Sequence, residues 1–277
     1  MKIISDILFI IRPINIVIAL LSIFVVTNMI SIFEIDKYFI ISIVVSSYMA
    51  AGYILNDLLD IKIDSINKPH RVLVRYNISF TILVIIISGL FFIGTLFAYM
   101  LSPLSISIAL YIVFPGIILY EFIFKKIALI GNIIISLLVG LVFIYTEAAL
   151  LNNINTTHRI MILAFFLNLI REIIKDLEDM AGDKKYNFKT LPILLGVQPT
   201  IFILRGLSLT FLIISCIPFY SLPFIPFLPL IFFTIHLPLL YINVGLKDNI
   251  SSAECAKFSK ILKLIIIFGV LIILFLS

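Results

Sequence analysis

Apolar stretches long enough to cross a bilayer recur along the whole chain, and no water-soluble fold has the interior to bury them all. A spanning helix needs about 20 mostly apolar residues. Nine stretches meet that need, near 14–33, 38–55, 78–101, 104–120, 127–146, 160–175, 200–219, 223–245 and 261–276. Ser102-Pro103 and Ser221-Leu222-Pro223 separate adjacent runs, since proline and serine punctuate helices. The sixth run turns charged after Ile174. Composition agrees: 62% of residues are hydrophobic and 13% charged, with mean hydropathy +1.26, where soluble domains carry about 25% charge. Arg12 interrupts the first apolar run and no small-residue cleavage site follows, so a cleaved signal is not expected. The expected fold is all-α: a polytopic membrane bundle of about nine helices, forming one domain over 1–277.

The Lys and Arg residues test this count. If all nine runs cross, 18 of the 20 fall on the N-terminal side of the membrane, and only Lys37 and Arg159 on the other. Positive charge collects in cytoplasmic loops, so the N-terminus is expected in the cytoplasm and the C-terminus outside. The same rule accounts for the net charge of +5, and no nucleic-acid partner is expected. Cys216 and Cys255 are too few for a disulfide framework.

Charge is concentrated in two places. Residues 56–76 and 171–189 together hold 17 of the 35 charged residues. The first stretch reads NDLLDIKID and carries Asp57, Asp60 and Asp64; the second reads REIIKDLEDMAGD and carries Asp176, Asp179 and Asp183. Each Asp of the second set lies 119 residues after its counterpart. On a helix, positions i, i+3 and i+7 fall within roughly 60° of one face. Asn56 extends the first face and Glu172 falls on the second. Three carboxylates on one face repel each other unless a cation neutralises them, and hard oxygen ligands suit Mg²⁺. A solvated helix end is the plain alternative for one triplet. The same triplet twice, each ending a span on the same side, favours a shared ligand.

A looser echo supports an internal duplication: Asn15 begins the first span and Asn132 the fifth. Four spans separate the paired features, so the halves run in the same direction, as a parallel repeat of about 1–120 and 121–245 followed by a final helix at about 261–276. Both acidic faces would then meet the cytoplasmic side. Asn15 and Asn132 are either interior amides bonded to neighbouring helices or ligand contacts. Most cations near the acidic sets are topological anchors. Arg71, Lys126 and Lys175 stand out because they lie next to the helix ends that carry the other features. Tyr111 and Tyr120, in the fourth run, either pack or line a cavity where an aromatic face stabilises a cation.

These motifs resemble those of the UbiA-type intramembrane prenyltransferases. NDLLDIKID with INKPHR is similar to that superfamily's first signature, and REIIKDLEDMAGDKKYNFKTLPILLG to its second. YEFIFKKIALIGN resembles its Tyr…Lys-Lys/Arg…Gly-Asn element and Arg12–Asn15 its opening, so the likeness covers 12–200. The second motif is most similar to an archaeal-type branch. After Asn67-Lys68-Pro69, many members carry an Arg-Pro-Leu-Pro-Ser-Gly-like run, whereas this chain reads His70-Arg71-Val72-Leu73-Val74-Arg75. The resemblance implies a UbiA-like bundle with its site near the cytoplasmic face. It implies that Asp57, Asp60, Asp64, Asp176, Asp179 and Asp183 bind two Mg²⁺ ions on the diphosphate of a prenyl donor, geranylgeranyl diphosphate. Asn15, Asn56, Arg71, Lys126 and Lys175 would steady that diphosphate. Tyr111 and Tyr120 would shield the allylic cation, and His70 or Glu172 would contact the acceptor or move its proton. The implied acceptor is a lipid phosphate, the hydroxyl of geranylgeranylglyceryl phosphate, and the product carries a second ether bond. An aromatic acceptor of quinone, haem or chlorin synthesis is the alternative. A cation or phosphate transporter fits less well, because the clusters lie at span ends rather than at mid-membrane.

Overall fold

Ile- and Val-rich segments are weak helix formers in water, but in a bilayer a helix is the one local structure that satisfies its own backbone hydrogen bonds. The computed structural model, which describes residues 9–32, 34–216 and 227–276, is accordingly helical. Nine main helices run among the described residues: α1 (Pro13–Met29), α2 (Ile35–Leu59), α3 (Phe80–Ala98), α4 (Pro103–Phe122), α5 (Ile130–Leu151), α6 (His158–Lys185), α7 (Val197–Ser215), α8 (Leu228–Gly245) and α9 (Ser252–Leu276). Seven are long and apolar enough to cross a membrane. The exceptions are α1, apolar but only 17 residues long, and α6. Arg171, Glu172 and Lys175 load α6 with charge even where the rest of it is apolar. The nine expected crossings are thus matched by nine helices, of which seven qualify as spans by length and composition. The expected separator Ser221-Leu222-Pro223 lies outside the described residues.

The chain divides into two compact units. The first comprises Met1–Phe124 and Leu141–Thr157, the second Lys125–Gly140 and His158–Ser277, so α5 is shared between them. In the first unit α2 packs mainly on α3 and also on α1 and α4. Its core includes Ile23, Val26, Ile41, Ala51 and Phe91. Tyr48 lies at the centre: its ring stands edge-on to Phe91 and Phe114, with centroids 5.5 and 6.5 Å away, and its hydroxyl is 2.8 Å from Thr95 Oγ1. In the second unit α6 packs on α7 and α9, around Ile170, Ile173, Ile174, Leu204, Leu239, Ile242 and Leu262.

A further correspondence between the halves is seen in the backbone. α4 contains a π-helical segment at Ala109–Val113, and α8 one at Phe232–His236. Each lies just before a proline, Pro115 or Pro238. A proline inside a helix cannot donate its i→i−4 bond and crowds the carbonyl four residues back. Here those carbonyls belong to Tyr111 and Thr234, each inside a π segment, where the wider turn relieves the clash.

Glu147 looks at first like a misplaced intramembrane acid. It is fully buried, yet it accepts the backbone N–H groups of Asn155, Thr156 and Thr157 and the Thr157 hydroxyl, at 2.6–3.0 Å. Its role is to anchor the turn that leads into α6.

Close packing of α2 on α3 depends on Gly94, where an added Cβ would lie 2.7 Å from Cδ2 of Tyr48. The Tyr48 ring cannot swing aside without losing Phe91, Phe114 and Thr95. Gly94→Ala is therefore expected to cost about 1–3 kcal/mol, seen as a lower unfolding temperature in detergent. Gly89→Ala, with nothing within 4 Å, is the control and should not fall.

Candidate active site

Asp57 lies in the last turn of α2, and its carboxylate is buried. The helix does not run on unbroken to Asp64. Asp60 caps α2, and a new helix begins at Ile61 and ends at Asn67. The single helical face expected for the first triplet is thus interrupted at its middle member. Short acids compete for local hydrogen bonds and sit poorly in helix interiors, and Asp60 Oδ2 accepts from Asn56 Nδ2 at 3.1 Å. Asp57 and Asp64 converge all the same. Nη1 of Arg71 reaches Asp57 Oδ1 at 2.5 Å and Asp64 Oδ2 at 2.8 Å. Burial pushes the Asp64 carboxyl up to about 6; Arg71 and Lys68 pull it back only in part, and Asp60 and Asp57 add to the rise.

Arg12 completes this cluster, and we did not single it out from sequence beyond its place in the opening motif. Its Nη2 donates to Asp57 Oδ1 at 2.8 Å and to Asn56 Oδ1 at 3.0 Å, and its guanidinium lies 4.6 Å over the Tyr53 ring. Tyr53 in turn accepts from Asn15 Nδ2 at 3.1 Å. Arg12 has φ 53°, a left-handed backbone that a non-glycine residue rarely adopts, immediately before Pro13. Such conformations persist where the surroundings hold them. Asn56 is the hub: its amide nitrogen also donates to Glu121, a buried acid at the end of α4, at 3.1 Å. Glu121 was missed because 65 residues separate it from Asn56; its adjacency to Tyr120 in the YEF motif was the available signal.

In the second unit the triplet lies within unbroken α6, as the spacing predicted. Asn132 Nδ2 donates to Asp176 Oδ2 at 3.0 Å, so Asn132 is an interior amide bonded to a neighbouring helix that also holds an acidic-motif carboxylate. Below it Ser136 donates to the Asn132 carbonyl at 2.6 Å, and Asn168 donates to Ser136 Oγ at 3.3 Å. Asp183 is buried, and Asp176 and Asp179 are half-buried. Lys175 and Arg171 both hold Glu172, at 2.7 and 3.1 Å, which leaves Glu172 poorly suited to take a proton. Lys126 is exposed, with Nζ 5.8 Å from the Phe188 ring centroid. Its carbonyl accepts from the Lys189 N–H at 3.2 Å, which ties it to the loop after α6.

The remaining candidates are less closely held. His70 is exposed, and the run that follows it folds as a short helix, Val72–Arg75, anchored by buried Leu73. Tyr120 is half-buried. Tyr111 is 78% exposed and lies nine residues earlier on α4, so the structure does not bring the two tyrosines together.

The donor set in the first unit fits Mg²⁺: two buried carboxylate oxygens meet at one cationic nitrogen. Among the described residues no three His, Cys, Asp or Glu side chains close on one point. Mg²⁺ has no need of such a cage, since it is commonly held by one or two carboxylates with substrate phosphates and waters as its other ligands.

Known proteins share this chain's sequence pattern and fold. Over 230 residues the chain is 34% identical to the digeranylgeranylglyceryl phosphate synthase of Saccharolobus solfataricus, covering 81% of this chain and 79% of the relative. Its fold is similar to a structure of digeranylgeranylglyceryl phosphate synthase in membranes, with TM-score 0.71, 26% identity, and coverage of 100% of this chain and 99% of that one. A UbiA homologue from Archaeoglobus fulgidus, bound to GPP and Mg²⁺, shares the fold with TM-score 0.70 at 20% identity, covering 97% and 99%. The pattern of the UbiA prenyltransferase family matches residues 15–268. That match runs from the first helix into the last and takes in both acidic motifs, so the chain belongs to the UbiA prenyltransferase family and is an integral, multi-pass membrane protein.

Proposed function

We propose that this protein transfers a geranylgeranyl group from its diphosphate to the free hydroxyl of geranylgeranylglyceryl phosphate, forming the second ether bond of a membrane-lipid precursor. Similarity to a digeranylgeranylglyceryl phosphate synthase over four fifths of both chains carries the choice of acceptor. Convergence of Asp57 and Asp64 on one cation supports the chemistry. In this reading Asp57, Asp60 and Asp64 are ligands of one Mg²⁺, and Asp176, Asp179 and Asp183 of a second. When bound, the metal neutralises the diphosphate and makes it a better leaving group.

The chain's own residues do the rest. Arg71, Lys126 and Lys175 offer charged donors to the phosphate oxygens and Asn15 an amide donor, while Asn56 offers one by releasing Asp60 or Glu121. Arg12 holds Asp57 and orients the Asn56 amide by bonding its oxygen. As the C1–O bond opens, positive charge grows on the allylic carbon. Tyr120, half-buried beside Glu121, is better placed than Tyr111 to face that charge. Apolar helix surfaces keep water from the cation and receive the isoprenoid tails. His70, exposed on the loop that carries Arg71, is a better candidate than Glu172 to take the acceptor's proton. The 18-to-2 split of Lys and Arg supports a cytoplasmic N-terminus, an external C-terminus and a site at the cytoplasmic face.

Membranes or purified protein given labelled geranylgeranyl diphosphate should transfer label to geranylgeranylglyceryl phosphate, with the ether product identified by mass spectrometry. Strong transfer to a phenolic acid and none to the glyceryl phosphate would falsify this assignment. Asp57→Asn and Asp176→Asn are each expected to abolish Mg²⁺-dependent transfer while the protein still inserts and folds; undiminished activity in both rules out the metal roles.

A pH dependence follows from Asp64. Its carboxyl is raised to about 6, so below that pH the folded protein holds a proton where a metal ligand is required. Metal affinity at this motif should be level above about pH 6.5 and fall by roughly tenfold per unit below about pH 6. Titrating Mn²⁺ in place of Mg²⁺ between pH 5 and 7.5 measures this, and Asp64→Asn should flatten the profile relative to wild type.

A further inference from the structure

The first acidic motif carries its own counter-cations. Asp57 Oδ1 accepts from Arg12 at 2.8 Å and from Arg71 at 2.5 Å, and the same Arg71 nitrogen reaches Asp64 Oδ2 at 2.8 Å. That nitrogen stands where the two carboxylates converge. A divalent ion ligated by both would need the same position, because Mg²⁺ binds oxygen at about 2.0–2.1 Å. Guanidinium and dication also repel, so they exclude each other by volume and by charge.

The two arginines are held differently. Arg12 is fixed from several sides: the Tyr53 ring lies under its guanidinium, Asn56 accepts a second bond, and its backbone leads directly into Pro13 at the start of α1. Arg71 lies on the connection between α2 and α3, at the head of a four-residue helix. Among the described residues its side chain bonds only Asp57 and Asp64. Arg71 can therefore leave by movement of a short loop, whereas moving Arg12 would disturb the start of a helix.

We propose that Arg71 is an exchangeable placeholder for the metal at the first motif. It neutralises Asp57 and Asp64 until a diphosphate arrives, then passes to the phosphate oxygens as the carboxylates take the divalent ion. This rests on reading Asp57 and Asp64 as metal ligands. Two guanidinium groups already pair with Asp57 and Asp64, so a bare dication gains less by entering than it would at unpaired carboxylates. A diphosphate brings the negative charge that draws Arg71 away. Metal and diphosphate thus load cooperatively at this motif, which does not hold its ion tightly without the substrate. An incoming anion also meets paired rather than bare carboxylates at Asp57 and Asp64.

Mn²⁺ binding to the purified protein in detergent, followed by the spin-resonance signal of the free ion, tests this with inorganic pyrophosphate as the second probe. Coupling between sites is typically about 5–150-fold. Wild type should bind Mn²⁺ weakly alone and at least about fivefold more tightly with pyrophosphate. Arg71→Gln should bind Mn²⁺ alone at least about fivefold more tightly than wild type, with a smaller gain from pyrophosphate. Arg71→Lys, which keeps the charge, should stay near wild type, and thermal melts check that each variant is folded. If folded Arg71→Gln binds Mn²⁺ alone no more tightly than wild type, the placeholder role is overturned while the metal site stands. If Asp57→Asn leaves Mn²⁺ binding unchanged with and without pyrophosphate, the metal reading itself falls, and this inference with it.

Discussion

A carboxylate at the edge of an apolar bundle must be paired, hydrogen-bonded or protonated, and the organisation of this protein follows from that demand. Removing an unpaired charge from water costs several kcal/mol even after relaxation. Asp57, Asp64, Glu121, Glu147, Glu172 and Asp183 are all buried. Glu147 meets the demand with backbone N–H groups and so becomes a structural anchor. Glu172 meets it with Lys175 and Arg171. Asp57 and Asp64 meet it with the side chains of Arg12 and Arg71, and in the proposed function Arg71 gives way to a metal and a diphosphate. Similar acids thus take different roles, set by whether their partners are part of the backbone or can leave.

Packing puts these partners within reach. Arg12 and Asp57 are 45 residues apart in sequence, and the packing of α1 on α2 brings them together. α2 is held in turn by α3, where Gly94 lets the Tyr48 ring sit against the helix backbone. Lacking a strong hydrophobic force between helices in lipid, such close approach at small residues is a principal source of cohesion. In the second unit a bond over a similar distance in sequence joins the start of α5 to α6: Asn132 to Asp176, 44 residues apart. Both units therefore use one device, a polar side chain at the head of one helix gripping an acid far along a later one. The repeated π segments before Pro115 and Pro238 add to the likeness.

Much of this was legible in the sequence because it depends on local spacing. Hydropathy located every main helix, and the i, i+3, i+7 pattern located the acids on α6. The break at Asp60 was not legible. A period of 3.6 is satisfied equally by a continuous helix and by two helices joined at a capping residue, so the pattern is blind to the cap. Arg12, Tyr53 and Glu121 were overlooked for a different reason. Their importance lies in contacts 38 to 65 residues away, and one sequence has no term for such pairs. Arg12 was visible as a cation before the first span and as part of the opening motif, and topology alone accounted for its charge. Tyr111 shows the converse: an aromatic residue on the correct helix, but 78% exposed.

Asp176 of the second set is bonded differently from Asp57 and Asp64 of the first, and the difference has a chemical sense. In the first unit arginines bond the motif aspartates directly. In the second, Lys175 and Arg171 turn to Glu172, one turn earlier on α6, and Asp176 takes a neutral amide from Asn132. A neutral donor satisfies a carboxylate's lone pair without offsetting its charge, whereas an arginine does both. The same three-aspartate spacing thus sits in two different hydrogen-bond environments. The difference comes from residues outside the motif: Arg12 and Arg71 for the first set, and Asn132 for the second.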